Sequence, residues 1–429
     1  RKARKNNGAK RDMHYEMEQE EHDVYPDDPD FDINKARLVT TAPRICVRYE
    51  CVPMRFIKHV YRIHTYAQDG RLFEGKTPVS AFLNSSYDGS FIAGLMELRY
   101  IQSLPVERII NYFESHGFTL KKPTAHKLME KASSLFENLY KCIRQTALGD
   151  PYKAADETYY KILVPEKNSK GKGVRKGYLW VVVGINTRMI YLLYDDGSRS
   201  EKVILNELGG CKGIIQSDGY SPYRKLESDA YPHITRIPCL QHIKRKFIDC
   251  GEDEPDAKRI VELINTLYQN EHKHKIGVDG WTVEQNLVHR KKYAPDILGE
   301  IKDVLDDIEE RGDLLPKSEL KEAVTYLRNE WNAVVDIFNY GDTYLDNNIV
   351  ERMNRYISLS RKNSLFFGSH KGAERGAILY TIALTCRMNK VNLFEYLTDV
   401  INRTAEWQPN TPLEKYRQLL PDRWEKAND

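Results

Sequence analysis

Short apolar runs dominate the middle of the chain. TYYKILV, YLWVVVGI and MIYLLYD follow one another between Thr158 and Asp195, separated by the turns NSKGKGVRKG and INTR. Runs rich in Val, Ile, Tyr and Trp, bounded by turn residues, predict buried strands. The spacing then alternates. SRSEKVILNEL has helical period, CKGIIQSD reads as a further strand, a short helix surrounds Tyr223, and ITRIPCLQH is a fifth strand leading into IKRKFIDC. Three meandering strands followed by helix, strand, helix and strand predict an α/β fold. It would be a ribonuclease-H-like catalytic core, a mixed five-stranded sheet with helices. In that topology the first and fourth strands lie side by side.

The flanks are mostly helical. In residues 90–150, SFIAGLMELRYIQSL stops before Pro105, VERIINYFESHG ends on Gly117, and LKKPTAHKLMEKASSLFENLYKCIRQ follows. Pro suits a first helical turn and Gly a last one. Two helices around a short Gly turn are a helix-turn-helix-like DNA-binding region or an ordinary helical bundle. The second helix presents Lys121, Lys122, His126, Lys127 and Lys131, of which Lys122 and Lys127 are the expected DNA contacts. Residues 41–89 read as a small β unit with a hairpin signal at Asp69-Gly70, and residues 1–40 as a flexible charged tail or linker. Residues 151–250 hold the first part of the core. Residues 251–340 carry four charged stretches of helical period, DAKRIVELINTLYQNEHKH, WTVEQNLVHRKKY, ILGEIKDVLDDIEER and LKEAVTYLRNEWNAVVDIF, which read as a helical insertion. Residues 341–429 complete the core with a helix from about Asp346, a basic loop or hairpin in SLSRKNSLFFGSHKG, and closing helices.

Composition narrows the class. The 429 residues are 41% hydrophobic and 30% charged, as expected of a soluble protein of two or three domains. No run is long and apolar enough for a membrane span, and no signal peptide is expected. The chain begins at Arg1 rather than Met, which leaves room for an upstream segment. Net charge of +3 is a weak pointer to nucleic acid, so local charge carries more. The basic opening RKARKNNGAKR gives way to the acidic EMEQEEHDVYPDDPDFD, both with the composition of solvated tails. Seven scattered cysteines suggest a reduced, cytoplasmic setting. Cys46, Cys51, His59 and His64 are weak zinc candidates, because the residues around them alternate like strands and lack a Cys-x-x-Cys pair.

The chemistry rests on three dispersed acids. Asp156 lies in KAADETYYKIL, at the start of the first strand; Asp218 ends the fourth in IIQSDGY; Glu351 sits on the helix in YLDNNIVERMNR. Individually they have plain alternatives: a strand-edge acid, a turn Asp before Gly219, and a surface partner of Arg355. Asp346 competes with Glu351 but is better placed to cap the helix. Together, carboxylates on separate elements can hold two magnesium ions roughly 3.5–4 Å apart, with manganese as a substitute, for phosphodiester cutting and rejoining. His242, Arg245 and Lys246 follow the fifth strand. Arg352, Arg355, Arg361, Lys362, His370, Lys371 and Arg375 cluster near Glu351. Any one is a solvated charge; as a group beside three acids they read as DNA-backbone contacts. Phe366 and Phe367 are either a hairpin core or a base-stacking platform.

At these words the chain resembles the transposases of the bacterial insertion-sequence family numbered sixty-six. The matching words are ADET from Ala155, SDGY from Ser217, CLQHIKRKF from Cys239, DNNIVER from Asp346 and SRKNSLFFGSHKGAERGA from Ser360, in the family's order, over residues from about 45 to the C-terminus. The resemblance implies a DDE recombinase whose acids are Asp156, Asp218 and Glu351. It also implies divalent magnesium, binding to terminal inverted repeats, end cleavage, and joining of 3′-hydroxyls to target DNA. Such a protein would work as a homo-oligomer on DNA in the bacterial nucleoid, with accessory proteins of the element. HTYAQDGRLF stands where family members often carry a Cys-rich zinc word, and the family's further N-terminal coiled segment is either missing or lies upstream of Arg1. The rivals are a structure-selective nuclease on the same fold and a non-catalytic, transposase-derived DNA-binding protein.

Overall fold

The central apolar runs form strands, and they form them as one sheet. In this computed structural model, the described residues are 54–426 apart from 60–64, 69–70, 75–80, 83–84, 168–170, 172, 275, 279, 313, 406 and 409. The expected tail, most of the small β unit, and Cys46, Cys51 and His64 lie outside them. Two short strands, β1 (Thr65–Gln68) and β2 (Arg71–Glu74), pair antiparallel with Gln68 opposite Arg71. The two residues between them are those the sequence marks as a turn.

Helices α1 (Gly89–Met96), α2 (Val106–Ser115), α3 (Lys122–Leu135) and α4 (Glu137–Gly149) follow, with a π turn over Glu97–Ile101. Pro105 caps α2, and Gly117 (φ +82°) lies just beyond its end. Strands β3 (Tyr152–Leu163), β4 (Val174–Gly184) and β5 (Met189–Leu193) then form an antiparallel meander. Next come α5 (Glu201–Leu208), β6 (Gly213–Ser217), the short α6 (Ser221–Arg224) and β7 (Ile234–Pro238). The sheet order is β5-β4-β3-β6-β7, with β6 parallel to both neighbours, so the first and fourth of these strands do lie side by side. This is a mixed five-stranded sheet with helices, of the α/β class.

One face of the sheet, through Tyr152, Ile214 and Ile237, joins a core with α7 (Leu240–Asp249), α8 (Pro255–Glu271), α9 (Val283–Arg311) and α10 (Glu319–Ile337). The chain closes with α11 (Asn348–Ser364), α12 (His370–Met388), α13 (Leu393–Thr404) and α14 (Leu413–Arg417). Helix α12 covers the β5 edge, where Thr381 and Thr385 hydroxyls accept the free N–H groups of Leu192 and Ile190 at 3.0 and 3.2 Å. An edge strand so satisfied is no longer a template for pairing with another chain.

Three expectations change. β3 begins at Tyr152, so Asp156 is inside the strand rather than at its start; the small buried residues Ala154 and Ala155 extend the ladder backward. The two middle stretches of residues 251–340 are one helix, α9, which runs through Pro295. Its buried stripe of Ala294, Ile297, Leu298, Ile301, Leu305 and Ile308 continues across the proline, and that burial outweighs the ~3 kcal/mol an interior proline costs. The first half of the expected basic loop is the last turns of α11, because Ile357 and Ser360 stay buried; only Leu365–Ser369 turn the chain before α12.

Candidate active site

Two of the acids are placed by backbone pairing. In the parallel ladder Tyr152 is opposite Ile214 and Ala154 opposite Gln216. Continuing the register by two residues puts Asp156 level with Asp218. Side chains at matching positions of parallel strands point the same way, and Tyr152 Oη donates to Gln216 Oε1 at 2.6 Å on that face. Asp218 Oδ1 accepts from Tyr220 N at 3.1 Å, the turn bond foreseen for it, and its carbonyl accepts from Arg236 Nη1 at 3.2 Å.

The Asp156 carboxyl is pushed up to about 8, first by burial and then by the Glu157 and Asp218 carboxylates. One oxygen accepts from Glu157 N at 2.8 Å, the other from Asn354 Nδ2 at 2.6 Å. Glu157 itself is buried and paired with Arg199. Burial is the first cause that raises its carboxyl.

The third acid arrives on α11. Asn354 reaches Asp156, Asn347 Nδ2 donates to Ala155 O at 3.0 Å, and Arg361 Nη1 donates to Tyr159 O at 2.5 Å, so this helix lies against β3. Asp346, expected as the N-cap, lies one residue before it: the N-cap is Asn347, and Asp346 Oδ1 accepts from Asn348 N at 3.1 Å as the helix begins. Glu351, in the first turn, has Oε1 buried without a hydrogen-bond partner, 3.8 Å from the equally unpartnered Nδ1 of His242. Among the described residues, the ligating atoms that all lie within 4.8 Å of one another belong to Cys239, His242 and Glu351, not to the acid trio. The Cys239 thiol is pushed up to about 12 by burial, and its sulfur accepts Asn347 N–H at 3.2 Å. It is a protonated wall of the site rather than a ready thiolate.

The expected DNA contacts divide. Arg245, Lys246, Arg352, Arg355, Lys362, Lys371 and Lys127 are exposed. Others are already engaged. Lys122 pairs with Glu107 at 2.6 Å and Arg375 with Glu130 at 2.8 Å. His370 Nδ1 meets Tyr194 Oη at 2.7 Å. Arg361 stacks 3.9 Å over the Tyr159 ring. Phe367 is buried, 4.2 Å from the Tyr160 ring and bridged to Ile162, whereas Phe366 is exposed. The hairpin-core reading fits the first and not the second.

Sequence reasoning places Asn347 on the helix face of Glu351 but passes over Asn354, Arg99 and Arg236. Arg99 is buried and ties α11 to the N-terminal helices through Ser360 and Ser364 at 3.0 and 2.9 Å. The signal available was spacing: Asn347, Glu351 and Asn354 recur at helical period on one face.

A family model described as Transposase IS66 family matches residues 84–375, more than half of the chain and a span that contains Asp156, Asp218 and Glu351. Three proteins of Sinorhizobium fredii (strain NBRC 101917 / NGR234) are also similar. Uncharacterized protein y4jD is 25% identical over 346 residues, which cover 77% of this chain and 65% of that protein's own length. Uncharacterized protein y4hP is 24% identical, covering 92% and 76%, and uncharacterized protein y4qI is 26% identical, covering 86% and 69%.

Proposed function

The chain belongs to the IS66 transposase family, and from that premise we propose that it is a DDE-type DNA transposase with a ribonuclease-H-like core. It would bind the inverted-repeat ends of its element, cleave them and join the 3′-hydroxyls to target DNA. In this reading residues 151–250 and 341–429 make the catalytic core, residues 251–340 an insertion, and α2 and α3 a DNA-binding region. The observation that carries the proposal is the parallel pairing of β3 with β6, whose register, carried two residues past its last pair, brings Asp218 level with Asp156, while α11, the helix of Glu351, bonds Asp156 through Asn354.

The residues fit a divalent cation. Asp156 is half-buried beside other carboxylates that hold its proton on, and the Oε1 of Glu351 and the Oδ1 atoms of Asn347 and Asn354 are buried without partners. Asp156 and Asp218 would hold magnesium, with Glu351 completing the set. When bound, the metal lowers the pKa of a water or 3′-hydroxyl and stabilises the leaving oxygen. The chain's own residues do the rest. The β3–β6 ladder keeps two carboxylates at fixed height, and Asn354 orients the Asp156 oxygen it holds. Exposed Arg245, Arg352, Arg355 and Lys362 follow the phosphates of the strand being cut.

The test is a magnesium-dependent strand-transfer assay with labelled ends of the parent element and a plasmid target, wild type against Glu351→Gln. Joined product from wild type alone is the expected result. Cleavage without joining would turn the reading to a nuclease, and tight DNA binding with no cleavage to a non-catalytic binder.

A further inference from the structure

Helix α10 reaches back to the loop that carries Asp218. Tyr326 Oη accepts the N–H of Gly219 at 2.8 Å. A Cβ at Gly219 would lie 2.5 Å from that hydroxyl, so the loop packs closely on the ring. From the same helix Glu330, buried, grips the buried guanidinium of Arg236, whose Nη1 donates to the Asp218 carbonyl.

Beside Tyr326 the surface opens into a cleft of about 440 Å³ between α10 and the last turn of α7. Arg224, Lys246, Lys317 and Lys321 line it, against the single carboxylate of Glu322. Lys246 Nζ lies 5.9 Å over the Tyr326 ring. Lys317 and Lys321 are exposed at the mouth, and Arg224 lies 3.9 Å from Glu330. Four cations lining one cleft with an aromatic ring are what a nucleic-acid strand needs: charge for its phosphates and a face or edge for its base. The volume is in the range of about 300–1,000 Å³ usual for small-ligand sites. That suits an extended strand with one base turned inward.

We propose that this cleft binds single-stranded DNA, one unpaired nucleotide lodging against Tyr326 with its phosphates on Lys317, Lys321 and Arg224. The proposal rests on the DNA-processing reading and adds to it a subsite on the insertion. Helix α10 would then couple that subsite to the acids, because a strand seated there presses on the ring that holds Gly219, next to Asp218.

The experiment compares binding of a labelled oligo-dT and a labelled duplex to the full chain by fluorescence anisotropy across salt, for wild type and Lys317→Glu/Lys321→Glu. The ratio of single-strand to duplex affinity should fall about tenfold or more, and the single-strand salt dependence should become shallower. Tyr326→Leu, which removes the ring and leaves the charges, should lower single-strand affinity several-fold at unchanged salt slope. An unchanged ratio in the double variant overturns the cleft while leaving duplex binding, and the transposase reading, intact. A wild-type chain that binds neither oligonucleotide overturns the reading on which the cleft rests.

Discussion

The two halves of the candidate site are built by different means. Asp156 lies within β3 and Asp218 directly follows β6, its parallel partner, and a ladder slips only by whole residues, turning every side chain to the other face. Glu351 rides on a helix held to β3 by a few side-chain bonds from Asn347, Asn354 and Arg361. Such bonds contribute about 1 kcal/mol each. One carboxylate oxygen of Glu351 is left buried beside His242 with no partner. The strand acids are therefore a fixed floor, and the helix acid is a group whose partners can change. An unsatisfied buried oxygen costs free energy that a cation or a shift of α11 would recover.

That comparison breaks most visibly in the catalytic acids themselves. Asp156→Ala and Asp218→Ala should each abolish strand transfer, by on the order of a thousandfold or more, and should also remove magnesium binding measured by calorimetry. Glu351→Ala should lose strand transfer to the same degree while keeping magnesium affinity within about tenfold. If all three variants lose the metal alike, floor and helix are one preformed site and the distinction goes.

The next effect is on pH. The ordinary Asp value of 3.8 is raised to about 8 at Asp156. The folded chain thus keeps a proton that the unfolded chain releases above about pH 4. The stability that proton contributes is full below pH 4 and is lost as pH rises towards 8. Asp156→Asn has no proton to lose, so its urea midpoint should decline less than wild type over that window. Magnesium should stabilise wild type more at pH 8 than at pH 6, since it competes with the proton. A wild-type slope identical to that of the variant would mean that Asp156 is ionised throughout.

Much of the floor was legible in the sequence and little of the helix's attachment was. Apolar runs with turn residues between them reported β4 and β5 directly, and their order implied that the first and fourth strands are neighbours. The backward extension of β3 was hidden because Ala154 and Ala155 carry no strand preference; pairing with Val182 and Val183 recruits them. The union of two helical stretches into α9 was hidden by Pro295, which local propensity reads as a stop and tertiary burial overrides. The contacts of α11 were illegible for another reason. Asn354 to Asp156 spans nearly half the chain, and a polar residue on a helix face looks the same whether it meets solvent or a strand.

Asn354 is where the attachment itself can be weakened. Asn354→Ala removes the amide that orients Asp156 and leaves the ladder untouched. Strand transfer should fall about tenfold, the worth of one such hydrogen bond, with magnesium affinity falling by less. Asn354→Gln, able to reach again at another length, should recover part of it. A loss as deep as that of Asp156→Ala would make Asn354 part of the floor.

The smallest effect separates two neighbouring cations that the sequence treats alike. Arg361 is committed inward, its guanidinium on the Tyr159 carbonyl and over the Tyr159 ring, while Lys362 is exposed on the same helix. Lys362→Glu should leave the melting temperature unchanged and weaken DNA binding several-fold, with a salt slope reduced by about one phosphate. Arg361→Lys should do the reverse. It keeps the charge but not the planar fork or the stacking, so DNA binding should change little and stability should fall by about 1 kcal/mol. Equal effects of both substitutions on the salt slope would mean that Arg361 leaves Tyr159 for the phosphate when DNA arrives. The attachment of α11 would then loosen as the substrate binds, which is the motion that an unpartnered Glu351 oxygen needs in order to reach the floor.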